Sequence, residues 1–529
     1  MGKSEPAALI LNRQALTAHT FITGSTGSGK SNTVYELLRQ LDAGGVNFMV
    51  IEPAKGEYKN VFGDREDVHV FGTNPKITKL LHINPFRFPE EIHVLEHIDR
   101  LIEIFSVCWP MYAAMPAVLK NAMLQAYEVC GWNLETSENE YNKNLFPTFQ
   151  DLLTELVDVI EHSAYDKEVK NNYRGSLETR VRSLANGLNG QIFSADEIPE
   201  KQLFDENTIV DLSRVGSLES KSLIMGILIM RLNEYRMTSC TEMNNPLKHV
   251  TVLEEAHNIL RRTSMEQTEE GSNVAGKSVE MIANAIAEMR TYGEGFVIAD
   301  QSPGAVDISA IRNTNTKIIM RLPDEQDRQL AGKAAALKDD QLDEIARLPK
   351  GVAVIYQNNW TEPVLCKINK FEGEEKRYQY KTCATDRKAE MMSAILLRNL
   401  LKKEKGEPLD LNLRQLQDLL LKVSMPSKTK IAALKALQKN GRCRQKDIQS
   451  VVYKLVCTPK VEEELTHTES IEEWRDEIAY FGSTGLADLD EEMLNEVAEL
   501  ILLEQIKRYD WPKTYLEQWQ EFRKKEMLV

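Results

Sequence analysis

The chain has 529 residues, with 65 Lys and Arg against 80 Asp and Glu for a net charge of −15, and it is 42% hydrophobic and 27% charged. That length holds about two to four domains with a large core, and the acidic balance argues against a surface coated for nucleic acid without excluding a narrow basic channel inside a ring. No apolar run reaches membrane-spanning length, Met1-Gly2-Lys3-Ser4-Glu5-Pro6 lacks the apolar core of a secretory signal, and seven scattered cysteines, none in C-x-x-C, suit a reducing compartment; the expectation is a cytoplasmic protein with no membrane partner.

In chain order, a short apolar strand at His19–Thr23 runs into the glycine-rich segment Gly24-Ser25-Thr26-Gly27-Ser28-Gly29-Lys30-Ser31. Val34, Leu37, Leu38 and Leu41 then share one helical face, and Gly44-Gly45 ends that helix. Further strands are expected at Asn47–Ile51, Val68–Phe71, Thr208–Leu212, Val250–Leu253, Gly295–Ala299, Lys317–Arg321 and Val352–Tyr356. Several are continuous apolar runs, as in a parallel sheet covered on both faces. Between them, Ile98, Leu101, Ile102 and Phe105, then Leu152, Leu153, Leu156, Val159 and Ile160, recur at helical spacing. Glu372-Gly373-Glu374-Glu375-Lys376 reads as a linker, followed by helical stretches such as Met391–Lys403, Leu413–Val423 and Leu489–Tyr509. The fold class is therefore α/β, a doubly wound sheet. The core is expected over residues 1–88 and 201–370, a helical insertion over 89–200 and an α-helical C-terminal region over 371–529.

The glycine segment fits G-x-x-x-x-G-K-[ST], in which glycines let successive N–H groups turn toward a polyphosphate and the next helix adds its positive end. Gly24, Ser25, Thr26, Gly27, Ser28, Gly29, Lys30, Ser31 and Asn32 are the candidate nucleotide-binding residues, with Lys30 at the β/γ-phosphates and Ser31 on Mg²⁺. Strand, loop and helix stand in the confirming order. A second acidic element is supplied by Val250-Thr251-Val252-Leu253-Glu254-Glu255. Glu254 is the candidate metal ligand through water, and Glu255 the candidate base that orients the attacking water. Gln301, at the end of the Gly295–Ala299 strand, is placed to sense the γ-phosphate or position water, or simply to cap its strand. Arg290 is the candidate finger reaching a neighbouring subunit's nucleotide, with Arg312 and Arg321 competing. Lys55 and Glu57, after the second strand, could touch the metal shell or nucleic acid, or belong to an ordinary solvent loop. Arg174, Arg180 and Arg182, with Lys221, are the basic candidates for phosphate contacts to nucleic acid.

Together these segments resemble the HerA/FtsK class of P-loop ATPases, in particular its HerA-like (DUF87) branch. The matching elements are Gly24–Ser31, Glu52–Tyr58 with its Gly-Glu-Tyr, Glu254-Glu255-Ala256-His257, and Arg290-Thr291-Tyr292-Gly293-Glu294-Gly295 leading to Asp300-Gln301-Ser302-Pro303. Arg312-Asn313-Thr314-Asn315-Thr316-Lys317 completes the set. The resemblance covers roughly residues 10 to 370. It implies a RecA-like core, a homo-hexameric ring and ATP- and Mg²⁺-dependent movement on double-stranded DNA. It further implies work with a nuclease or another effector, in DNA processing or antiviral defence; the partner expected here is a separate nuclease or NAD-degrading effector. Two features depart from the family pattern. Its usual Asp-Glu pair is Glu254-Glu255 here, and its N-terminal β-barrel is expected to be missing, since 23 residues precede Gly24.

An alternative is a nucleotide-gated oligomeric scaffold that regulates a partner effector without processive translocation. A self-contained nuclease is not expected. Asp488, Asp490, Glu491 and Glu492 read as the solvated start of a helix rather than a metal cluster.

Overall fold

The computed structural model describes residues 8–526 apart from 113, 264–273, 381–387, 458, 466, 469, 484–489 and 510–512. Asp488 lies outside the described residues. The strands are β1 (Thr20–Thr23), β2 (Asn47–Glu52), β3 (Val68–Gly72), β4 (Lys79–Leu80), β5 (Trp132–Asn133), β6 (Glu138–Asn139), β7 (Asn207–Asp211), β8 (His249–Glu254), β9 (Glu294–Asp300), β10 (Thr316–Ile319), β11 (Val352–Gln357) and β12 (Val364–Lys367). All eight strands expected from the apolar runs are present, with ends displaced by no more than two residues.

Two compact units divide the chain. The first takes residues 1–81, 88–120 and 198–380, and the second takes 82–87, 121–197 and 381–529. The helical residues between the strands are thus split. Val94–Cys108 belongs to the sheet unit, while most of the remainder joins the C-terminal helices. Buried Asp151 shows why. It closes a capping box with Thr148 and also accepts from Ser427 N at 2.7 Å and Ser427 Oγ at 2.9 Å. Those bonds tie the helix Phe149–His162 to the helix Ser427–Gln438. The C-terminal helices bury Leu396, Leu400, Leu434, Val452, Trp474 and Ile501 in a common apolar core.

The first unit is built on a ten-stranded sheet in the order β12-β11-β10-β1-β9-β8-β2-β7-β3-β4. Pairing is parallel from β10 through β4, while β10, β11 and β12 pair antiparallel at one edge. Every residue of β1, β7, β8 and β9 is buried, as strands covered on both faces require. One cover is α1 (Lys30–Ala43), which buries Val34, Tyr35, Leu38 and Leu41 and ends where Gly44 N reaches the carbonyls of Gln40 and Leu41. Elsewhere in this unit, the helix Leu218–Ser239 comes so close to Val94–Cys108 that a Cβ on Gly226 would stand 2.7 Å from Ile104.

The amino ends of β8 and β9 are clamped by one buried carboxylate. Glu294 accepts from His249 Nδ1 at 2.9 Å, Arg236 Nε at 2.9 Å and Thr251 Oγ1 at 2.7 Å. Burial alone would raise this carboxyl, but His249 and Arg236 outweigh it and hold it down at about 2. The stabilisation is present above the ordinary carboxylate range and is lost as pH falls toward 2. The clamp fixes the register His249↔Glu294, and with it the alignment of the opposite, carboxyl ends. Glu294→Gln should therefore destabilise the first unit by about 3–5 kcal/mol, since it leaves buried cations without their charge partner. Urea unfolding followed by fluorescence measures this, and a loss below about 1 kcal/mol would show the clamp to be incidental.

Candidate nucleotide site

β1 leads straight into the glycine loop at the carboxyl edge of the sheet. Gly27 and Gly29 adopt φ of +77° and +110°, conformations that L side chains rarely take. Gly24 is required for a different reason, because a Cβ there would stand 2.6 Å from Ser28 Oγ and 2.7 Å from Met320 Cβ. The loop is pinned by Ser25 N to Arg321 O at 2.9 Å and by Gly351 N to Ser28 O at 2.9 Å. Its curled backbone places α1 directly behind it, with Lys30 as the first helical residue.

Four neighbouring strands, β9, β8, β2 and β7, end at this edge in Asp300, Glu254, Glu52 and Asp211. All four carboxylates are buried, and each has a specific partner. Lys30 Nζ stands 2.9 Å from Glu254 Oε2 and 3.4 Å from Glu255 Oε1, with side-chain exposures of 9%, 8% and 14%. Burial alone would lower the Lys30 ammonium, but the two glutamates hold it above the usual lysine range. Tyr58 OH donates to the other oxygen of Glu254 at 2.5 Å. Glu52 accepts from the backbone N–H groups of Glu57 at 2.7 Å and Tyr58 at 3.1 Å, which fixes the turn that delivers Tyr58. Asp211 pairs with Lys59 at 2.5 Å. Asp300 accepts from both His257 N at 2.9 Å and His257 Nδ1 at 2.8 Å.

Glu255 follows β8 in a left-handed conformation, φ +46° and ψ +55°. For a residue with a Cβ this costs about 1–2 kcal/mol, and the surrounding bonds hold it in place. Gln301 Nε2 donates to Glu255 Oε1 at 2.9 Å, while Thr26 Oγ1 donates to Gln301 Oε1 at 2.8 Å. Gln301 thus links the glycine loop to Glu255. His257 stands 3.7 Å from Glu255 Oε2, and the hydrogen bond to Asp300 raises its pKa, with both carboxylates adding to the effect against burial.

The structure brings Thr26, Lys30, Glu254, Glu255 and Gln301 into one connected set. The loop also fits a triphosphate. Ser25 Oγ is buried with no hydrogen-bond partner among the described residues, Ser31 sits half-buried at the helix start, and Lys30 provides the charge. A divalent cation could be held by Ser31 and Glu254. The ligand atoms of Glu255, His257 and Asp300, within 4.8 Å of one another, form a second candidate group. Asn32 is otherwise engaged, its side chain bonding the backbone at Asn369 and Phe371.

The arginines are placed differently. Arg290 is exposed and precedes β9, so it lies at the amino end of that strand, ~20 Å along it from Asp300. Arg312, also exposed, lies before the amino end of β10. Arg321 follows β10 at the edge where the glycine loop lies, and its carbonyl holds Ser25. Lys55 and Glu57 face one another at 3.7 Å, both about half exposed. Arg174, Arg180 and Arg182 belong to the second unit. Arg174 pairs with Glu161, Arg180 NH1 donates to Ser176 Oγ at 2.5 Å, and Arg182 pairs with Glu178 at 2.5 Å. Lys221 is half-buried in the helix Leu218–Ser239 of the first unit.

Sequence reasoning missed Tyr58, the His257–Asp300 pair and the Lys59–Asp211 pair. Tyr58 and His257 stood inside the quoted motifs, but nothing in their spacing revealed which carboxylate each would meet.

Residues 1–232 match the family model described as the central domain of helicase HerA. The DNA double-strand break repair helicase HerA of Sulfurisphaera tokodaii is 24% identical over 364 residues, covering 68% of this chain and 66% of that protein. A probable helicase of Methanocaldococcus jannaschii is 22% identical over 392 residues, covering 68% of each. The chain therefore spans about two thirds of the length of these curated relatives. Among solved structures, VirB4 of Thermoanaerobacter pseudethanolicus superposes with a TM-score of 0.51 at 18% identity, covering 67% of this chain and 90% of that one. The fold is α/β and RecA-like, with a helical C-terminal region. No described helix is long and apolar enough to cross a membrane.

Glu52 offers a direct test of the electrostatics at this edge. Burial, with Asp211 and Glu254 adding to it, pushes its carboxyl from the ordinary 4.5 up to about 7 against the two backbone N–H groups. A carboxyl raised in the folded state binds its proton more tightly there, so stability falls as pH rises from 4.5 to 7. Between pH 5 and 8 the wild-type unfolding free energy should drop by about 2–3 kcal/mol more than that of Glu52→Gln. Urea titrations at the two pH values measure the difference, and equal slopes would contradict the assignment.

Proposed function

We propose that this chain, whose residues 1–232 match the family model for the HerA central domain, is an ATP-hydrolysing motor that acts on double-stranded DNA. The supporting observation is the single buried cluster joining Lys30 to Glu254 and Glu255, with Gln301 bridging Glu255 to Thr26 of the glycine loop. Bound Mg²⁺·ATP supplies the scissile phosphoanhydride and a cation that spreads its charge.

The chain's own residues supply the rest. The N–H groups of Gly27 to Ser31 cradle phosphate oxygens, and Lys30 turns its ammonium from the glutamates to the β/γ-phosphates. Ser31 and Glu254 would hold the metal's shell, with Tyr58 fixing the Glu254 rotamer. Glu255, freed from Lys30, takes a proton from the attacking water, and Gln301 orients that water. His257, held by Asp300, keeps a positive edge beside Glu255. Arg290 is exposed at the far end of the sheet, so any finger role requires a neighbouring copy, as in a ring. The family resemblance supports a homo-hexamer working with a separate nuclease or other effector, in DNA processing or defence against phage.

The scaffold reading gains from one observation. The basic residues proposed for DNA, Arg174, Arg180 and Arg182, each have a partner within their own unit. DNA-stimulated hydrolysis and roadblock displacement separate the two readings, because a scaffold shows neither.

The chemical claim is tested with Glu255→Gln. Its kcat for ATP should fall at least about 100-fold while nucleotide affinity is retained, and Lys30→Ala should lose the affinity itself. Phosphate release and nucleotide titration measure these, and a Glu255→Gln protein that hydrolyses at the wild-type rate would refute the assignment.

A further inference from the structure

We propose that the extended segment 368–380 forms the wall against which the nucleobase of the bound nucleoside triphosphate rests, and that Asn32 fixes it there. The proposal rests on reading Gly24–Ser31 as the triphosphate loop and adds the base subsite, which none of the glycine-loop residues provides.

The direction of the ligand comes first. Glu255 and Gln301 stand on the β8 and β9 side of the loop, where Thr26 meets Gln301. The opposite flank is made by the β10 and β11 side, where Ser25 N reaches Arg321 O and Gly351 N reaches Ser28 O. A triphosphate laid along the loop with its terminal phosphate at Glu255 directs its sugar and base toward that second flank.

That flank is where segment 368–380 runs. Ile368 N donates to Gly351 O at 2.8 Å, directly beside the loop contact. Asn32, two residues beyond Lys30, then uses both ends of its amide. Its Nδ2 donates to Asn369 O at 2.9 Å and its Oδ1 accepts from Phe371 N at 2.9 Å. The Phe371 ring packs 5.7 Å from both Tyr35 and Phe62, centroid to centroid. A second asparagine, Asn60, adds two more bonds, its backbone carbonyl accepting from Lys376 N at 2.9 Å and its Oδ1 from Tyr378 N at 3.0 Å.

Composition makes this anchorage informative. Glu372-Gly373-Glu374-Glu375-Lys376 is the polar, charged stretch that reads as a linker from sequence, and its side chains are exposed. A linker gains nothing from two asparagines that hold it and an aromatic anchor. A wall that must hold its position beside a ligand does. Between the two residues that Asn32 holds, the N–H and C=O of Lys370 make no hydrogen bond among the described residues. They leave one donor and one acceptor for the edge of a base.

Titration calorimetry with Mg²⁺·ATP and with Mg²⁺·tripolyphosphate, which has no base, tests the proposal on the wild type, Asn32→Ala and Phe371→Ala. Both variants should bind ATP at least about tenfold more weakly and tripolyphosphate within about twofold of the wild type. Unchanged ATP affinity in both variants overturns the proposal. A parallel loss for both ligands also overturns it, because Asn32 would then serve the phosphates. If the wild type binds neither ligand, the triphosphate-loop reading itself fails, and the base wall with it. The wild-type protein gives a check that needs no variant. Trypsin cleavage after Lys376 or Arg377 should be slowed by ATP and not by tripolyphosphate, and equal effects of the two would overturn the proposal.

Discussion

One ammonium group organises the functional end of this molecule. Lys30 is almost fully withdrawn from water between Glu254 and Glu255, and a buried cation of this kind persists only while its counter-charges stay in place. The same holds in reverse. Two adjacent glutamates at the end of one strand, with Asp300 on the next, would repel one another without Lys30 and His257 among them. A polyphosphate with its metal is the kind of ligand that can enter this balance. On the proposed reading its oxygens would take the ammonium, its metal would take Glu254, and Glu255 would be left with a free oxygen facing the site.

The rest of the sheet unit keeps that arrangement in register. Glu294 clamps the amino ends of β8 and β9, so the carboxyl ends that carry Glu254 and Asp300 stay aligned. Glu52 folds the following turn onto its own carboxylate and so sets Tyr58 against Glu254. Glu255 is held in a left-handed conformation that places it within reach of both Lys30 and Gln301. Each device is local, yet together they bring carboxylates from four neighbouring strands to a single edge.

Much of this was legible in the sequence because the informative signals are short-range. The glycine pattern, the Val-Thr-Val-Leu run before two glutamates and the strand before Gln301 are contiguous, and each sits where its motif places it. The antiparallel edge strand β12 was not legible, because its residues are largely exposed and its apolar run, Val364-Leu365-Cys366, is short. Partnerships were harder still. Tyr58 meets Glu254 across 196 residues, and Asn32 holds Asn369 across 337. No periodicity encodes such pairs; only the strand order does. Within the polar stretch 372–376 the anchoring bond is between backbone groups, Lys376 N to Asn60 O, which composition does not report. The domain limits drawn from pattern also differ from the two units, because Asp151 bonds to Ser427 far along the chain.

The most direct measurement is an electron-microscopy structure of the protein with Mg²⁺ and a non-hydrolysable ATP analogue. The account predicts that Lys30 has left both glutamates for the β- and γ-phosphates, with the Glu255 carboxylate one water away from the terminal phosphorus. Lys30 still paired with Glu254, or Glu255 turned away from that phosphate, would contradict it.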